Sequence, residues 1–132
     1  MQIESIDIKN YRLFQSTALT QIPRLCVLVG ANGSGKSTLF DVFSFLKDAL
    51  AMNVTKAVAK RGGYKELVSR GHEGEPIELT LQFRLEITGH ERLVTYVLKI
   101  EPDDKGKVVI AREILRYKRS RYGAPYHFLD FT

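Results

Sequence analysis

The chain has 132 residues, enough for one small domain with a true core or for a piece of a larger one. At 44% hydrophobic and 27% charged it reads as an ordinary globular chain, which excludes a disordered or fibrous one. The formal net charge is +5. Arg112, Arg116, Lys118, Arg119 and Arg121 are opposed in their stretch only by Glu113, a balance that suits an anionic partner such as nucleic acid.

The opening, Met1-Gln2-Ile3-Glu4-Ser5, lacks the basic flank and apolar stretch of a signal peptide. Every apolar run is too short to span a bilayer as a helix. The single cysteine, Cys26, has no partner for an internal disulfide and sits in an apolar run, as a core thiol does. The expectation is a cytoplasmic protein with no membrane partner.

Residues 2–10 predict a strand with Ile6 and Ile8 on one face, and Ile3, out of phase with them, predicts an irregularity near its start. After Tyr11-Arg12-Leu13-Phe14, residues 16–22 predict a second, antiparallel strand stopped by Pro23. Residues 25–29 form a continuous apolar run, as in a strand covered on both faces. Residues 36–51 predict a helix, because Leu39, Val42, Phe43, Leu46 and Leu50 recur at helical spacing. Phe40, Phe45 and Ala49 widen that stripe and predict a helix buried on most sides. A short helix is expected over Val54–Lys60, ended by Gly62-Gly63.

From Ile77 the period changes to two. Ile77, Leu79, Leu81, Phe83, Leu85 and Ile87 alternate with polar residues, as in a strand buried on one face. Val94, Tyr96, Leu98 and Ile100 repeat the pattern, with turns at 88–91 and 102–106 between runs. Val108–Lys118 predicts a third strand of this meander and 126–131 the start of a fourth.

Between the apolar run at 25–29 and the long helix lie Gly30, Ala31, Asn32, Gly33, Ser34, Gly35, Lys36 and Ser37, which match G-x-x-x-x-G-K-[ST]. The glycines let backbone amides close on phosphate oxygens, and the helix that follows offers free N–H groups and the positive end of its dipole to the same anion. Lys36 is expected to reach the terminal phosphates and Ser37 to ligate magnesium. The strand-loop-helix context turns a glycine-rich turn into a nucleotide-site prediction.

Gly30 through Asp41, and Ile8-Lys9-Asn10-Tyr11-Arg12-Leu13-Phe14 upstream of it, resemble the opening of the RecF, SMC and OLD group of ABC-type ATPases. Gly62-Gly63-Tyr64-Lys65-Glu66-Leu67 resembles a branch of predicted bacterial ATPases in that group. The resemblance implies an α/β P-loop NTPase fold of ABC type: a P-loop strand and helix with an antiparallel meander. It implies ATP and magnesium as ligands, with Arg12 and Thr38 added to the P-loop residues that touch the nucleotide. Asn32 would face the γ-phosphate or a partner subunit; Asp41 reads as structural.

On this reading residues 1–132 are the N-terminal portion of one ATP-binding domain, with hairpin, loop and helix in 1–60 and the antiparallel strands in 75–132. No apolar strand ends in the Asp-Glu of a Walker B motif, and no signature loop is found. The rest of the domain is expected downstream, with hydrolysis in the complete protein and engagement of a second subunit as a homodimer. DNA repair, chromosome maintenance and phage defence all fit. Gln82 is a weak candidate for a magnesium-sensing glutamine, and His72, His90 and His127 read as ordinary surface residues. The alternatives are a nucleic-acid module using Arg116, Lys118, Arg119 and Arg121 between interleaved tyrosines, or a P-loop kinase or GTPase. The latter lacks the Asn-Lys-x-Asp that reads guanine.

Overall fold

The computed structural model describes residues 2–20, 34–118 and 125–131. The strand expected at 25–29, the loop residues Gly30, Ala31, Asn32 and Gly33, and the basic residues Arg119 and Arg121 lie outside them. The elements in chain order are β1 (Gln2–Tyr11), β2 (Phe14–Thr20), α1 (Ser34–Ala51), α2 (Val54–Lys60), α3 (Tyr64–Leu67), β3 (Ile77–Ile87), β4 (His90–Pro102), β5 (Val108–Lys118) and β6 (Pro125–Phe131).

The six described strands form one antiparallel sheet in the order β2-β1-β3-β4-β5-β6. The N-terminal hairpin and the meander are therefore continuous: β1 pairs with β2 through Ile6↔Leu19 on one side and with β3 through Ile6↔Leu81 on the other. The irregularity announced by Ile3 is present, as a register shift between Ile3 and Ser5. Thr88 and Gly89, both at positive φ (53° and 80°), make the tight turn that brings Ile87 opposite His90. Asp103 Oδ1 accepts the amides of Lys105 and Lys107, each at 2.8 Å, and so shapes the turn between β4 and β5.

Register places Ile6, Ile8, Leu79, Leu81, Phe83, Tyr96 and Leu98 on one face, and there the helices pack. Val42, Phe45, Leu46 and Ala49 of α1, Val54, Ala57 and Val58 of α2 and Tyr64 and Leu67 of α3 complete a single core. Each large apolar side chain fully buried here contributes about 1.5–3 kcal/mol. The opposite face carries Lys9, Thr80, Gln82, Lys99 and Arg112, with the buried Ile114 among them.

Two expectations need correction. The long helix is not buried on most sides: Phe40 and Leu50 are exposed, at 38% and 46%, because one sheet face receives only one stripe of α1. The β3 alternation also outruns its cover, since Leu85 is 39% exposed beyond the end of the helical layer. The short α3 was not foreseen; Gly63 precedes it at φ 103°, where a glycine is at home. No described helix is long and apolar enough to cross a membrane.

Candidate functional site

The site is built from the end of β1. Asn10 adopts a left-handed backbone (φ 62°), which asparagine tolerates better than most residues. Its buried amide donates to the carbonyls of His72 (3.1 Å), Glu75 (3.0 Å) and Pro76 (3.3 Å), and its oxygen accepts the Ser69 amide at 3.3 Å. One side chain thus ties the segment before β3 to the tip of β1.

Tyr11 turns the other way, into the core. Its ring lies 5.9 Å from that of Phe45 and its hydroxyl donates to Asp41 Oδ2 on α1. Burial first, then the hydrogen bond to the Asp41 carboxylate, push the Tyr11 phenol above its ordinary range. Arg12 begins the two-residue turn into β2, also at positive φ (47°). Its amide donates to Leu67 O at 2.7 Å and its carbonyl accepts the Ser69 hydroxyl at 2.6 Å, so both backbone groups are held. Its guanidinium donates from Nε to Glu66 O (3.2 Å), while Nη1 lies 3.3 Å from Asp41 Oδ2.

Asp41 also faces Arg61, whose Nε is 3.6 Å from Oδ1, an ionic contact too long for a hydrogen bond. Arg61 follows α2 and is nearly buried. Nη1 pairs with Asp48 at 2.9 Å and donates to Ala57 O, Nη2 donates to Ser44 Oγ at 3.0 Å, and the guanidinium carbon lies 5.4 Å from the Phe45 ring centre. Arg61, with Lys60 beside it, holds the Asp48 carboxyl below the usual carboxylate range. Asp41, Ser44 and Asp48 recur at helical spacing along one flank of α1, and that flank is the seam with α2.

The P-loop motif runs into this helix. α1 begins at Ser34, so Ser34, Gly35, Lys36, Ser37 and Thr38 form its start, and its first turn carries no acidic residue. The free amides and dipole of a helix N-terminus therefore coincide with the motif's last glycine, lysine and serine. Asp41 lies four residues after Ser37, one turn further along α1.

The structure brings Arg12 to α1 through Asp41 and leaves the other candidates elsewhere. Gln82 lies in β3 on the sheet face away from the helices, where its Oε1 accepts the Ser5 hydroxyl at 3.0 Å. His72 Nδ1 is 2.6 Å from Glu75 Oε2 in the loop before β3, His90 opens β4 and His127 pairs with Arg116 in β6. Arg116 and Lys118 lie in β5. Sequence reasoning missed Asn10 as the anchor of the 69–76 segment and Arg61 as the brace between α1 and α2. The signal for Arg61 was present, as a lone arginine after a short helix opposite two helix-spaced aspartates. Among the described residues no group of three or more His, Cys, Asp or Glu could hold a metal ion. A largely apolar cavity of about 490 Å³ lies between α1 and the sheet, lined in part by Ile3, Phe43, Leu46, Leu50 and Phe83.

Over 74 residues, 56% of its length, the chain is 28% identical to the DNA replication and repair protein RecF of Idiomarina loihiensis. The match spans 19% of that relative, so the chain is similar to a small part of it. The sequence profile of the AAA ATPase domain matches residues 1–122. The family match over residues 1–122 covers more than half of the chain, and the chain therefore belongs to the AAA ATPase domain family.

Proposed function

We propose that this chain binds ATP through Gly30, Ala31, Asn32, Gly33, Ser34, Gly35, Lys36, Ser37 and Thr38, with Arg12 approaching from the β1–β2 turn. The observation that carries the reading is the start of α1 at Ser34, which sets an unopposed helix N-terminus inside the motif of an ATPase-family chain. Lys36 supplies the charge that meets the terminal phosphates. A serine hydroxyl is a hard oxygen donor of the kind magnesium accepts, and the first turn of α1 carries no acidic residue. Ser37 would hold that ion, which would offset the charge of the phosphates.

Hydrolysis belongs in this reading to the complete ATPase. Engagement of a second copy of the protein supplies the rest of the pocket, and work on DNA in repair, maintenance or defence follows the RecF likeness. The expected setting is the cytoplasm. Calorimetric titration with MgATP tests the core of the proposal: Lys36→Ala is expected to weaken binding by about a hundredfold, the loss of one charge-assisted contact. Unchanged affinity in that variant sinks the assignment. Residues 1–132 alone are expected to turn ATP over poorly.

A second reading concerns polyanions. Lys99 pairs with Arg112 and Thr95 with Arg116, so these cations share the sheet face that the helices leave open. We infer that Arg116 and Lys118, with Arg119 and Arg121 beyond them, contact nucleic-acid phosphates. Binding to a single-stranded oligonucleotide should fall steeply with salt, and the slope should flatten when Arg112 and Arg116 become alanine. Equal slopes for both proteins would count against it.

A further inference from the structure

We propose that Asp41 is a positioning residue for the nucleotide, holding the Arg12 guanidinium beside the helical turn that carries Ser37. The proposal rests on the reading of the P-loop as an ATP site and adds a part to it. Asp41 is one turn along α1 from Ser37, on the same helical flank, so an arginine fixed to its carboxylate is delivered next to the start of the helix. Arg12 reaches it across 3.3 Å from the β1–β2 turn, a separate element.

The arrangement has features that a simple surface ion pair lacks. The carboxylate is held from several directions: the buried Tyr11 hydroxyl and Arg12 Nη1 meet Oδ2, and Arg61 Nε faces Oδ1. Arg12 itself is held at a positive φ, unusual for a long side chain, by Leu67 and Ser69 on its backbone and Glu66 on its Nε. These contacts use Nε and Nη1. The side chain keeps 36% of its exposure. A guanidinium held through Nε and Nη1 and still partly open to solvent can donate further, to a phosphate oxygen.

The test is a double-variant cycle in the full chain, read by calorimetry with MgATP and with AMP, alongside thermal unfolding of the nucleotide-free protein. Asp41→Asn keeps the size of the side chain and removes the charge that orients Arg12. It is expected to lower MgATP affinity by about tenfold, on the scale of one charge-assisted hydrogen bond, and AMP affinity much less. Arg12→Ala should do the same, and the double variant should bind no worse than Arg12→Ala alone. If Asp41→Asn unfolds, Asp41→Glu, which keeps the charge but moves it by one methylene, should show a smaller loss with the same lack of additivity.

A drop in unfolding temperature with unchanged affinity in the folded protein would overturn the proposal and leave Asp41 as a brace for α1. Additive losses would overturn it too. Lys36→Ala separates the two levels. If it weakens MgATP binding while Asp41→Asn has no effect, the ATP site stands and the positioning role fails. If Lys36→Ala has no effect, the ATP site itself fails.

Discussion

Arg61 Nη1 lies 2.9 Å from Asp48 Oδ2, and this contact joins the end of α2 to the last turn of α1. The arginine is nearly buried and its guanidinium also covers the Phe45 ring, so its removal loses packing as well as charge. Arg61→Ala is expected to lower stability by about 2 kcal/mol in urea titration with an unchanged slope, and Lys60→Ala by far less. Asp48 has a depressed folded value, so its contribution is present above the ordinary carboxylate range and is lost on acidification through that lower value. The acid limb of the stability curve should therefore shrink in Asp48→Asn.

Asn10 combines a left-handed backbone with a side chain that serves four main-chain groups. Asn10→Gly keeps the backbone and loses the bonds; Asn10→Ala loses both and should be less stable than the glycine variant by about 1 kcal/mol. Asn10→Asp should also be poor, because it turns a carboxylate toward three carbonyl oxygens. Amide exchange over 69–76 should accelerate in all three. If the alanine variant proves as stable as glycine, the strained backbone is not what selects this residue.

Burial raises the phenols of Tyr11, Tyr96 and Tyr64, the last to about 12 from an ordinary 10.0. A folded-state rise in an acid means that the unfolded chain gives up its proton first. Stability should hold up to about pH 10 and fall as pH climbs from there through the folded values. Tyr96 donates to Glu113 Oε2 at 2.5 Å, so its phenolate would form beside a carboxylate. Tyr96→Phe should therefore remove part of the alkaline slope, followed by phenolate absorbance and circular dichroism on the same samples.

Phe45 is fully buried, whereas Leu50, five residues further along α1 and on another side of it, is 46% exposed. Phe45→Ala should destabilise by about 3–5 kcal/mol, the usual range for a core aromatic. Leu50→Ala should lose much less, since half its surface is already wet. Comparable losses would show that α1 is covered on the side the structure leaves open.

Much of this architecture was readable because period-two alternation is a local signal. Ile77 through Phe83 and Val94 through Ile100 announced both their strands and their buried face, and Ile3 announced its register shift. The G-x-x-x-x-G-K-[ST] pattern is contiguous, so it can be read from sequence alone, and of its residues those from Ser34 on fall at the start of α1. The Tyr11–Asp41–Arg61 contacts were not, because they join a strand end, a helix and a post-helix turn that are distant in sequence. The over-burial expected for α1 has a different cause. Composition counts apolar residues but does not say how many surfaces exist to receive them, and Phe40 and Leu50 point where the sheet does not reach.

The place of β1 in the sheet has a consequence for how the chain is made. β1 is made well before β3, the strand that matches its second edge, so Ile8 waits for Leu79 while the hairpin return, residues 21–33 and the helices α1 to α3 emerge between them. A lone β1–β2 ribbon is marginal in water, and closure over so long a loop is slow. Refolding should be limited by this late non-local pairing, and β1 of the nascent chain should expose Ile6 and Ile8 until residues 77–87 have cleared the ribosome.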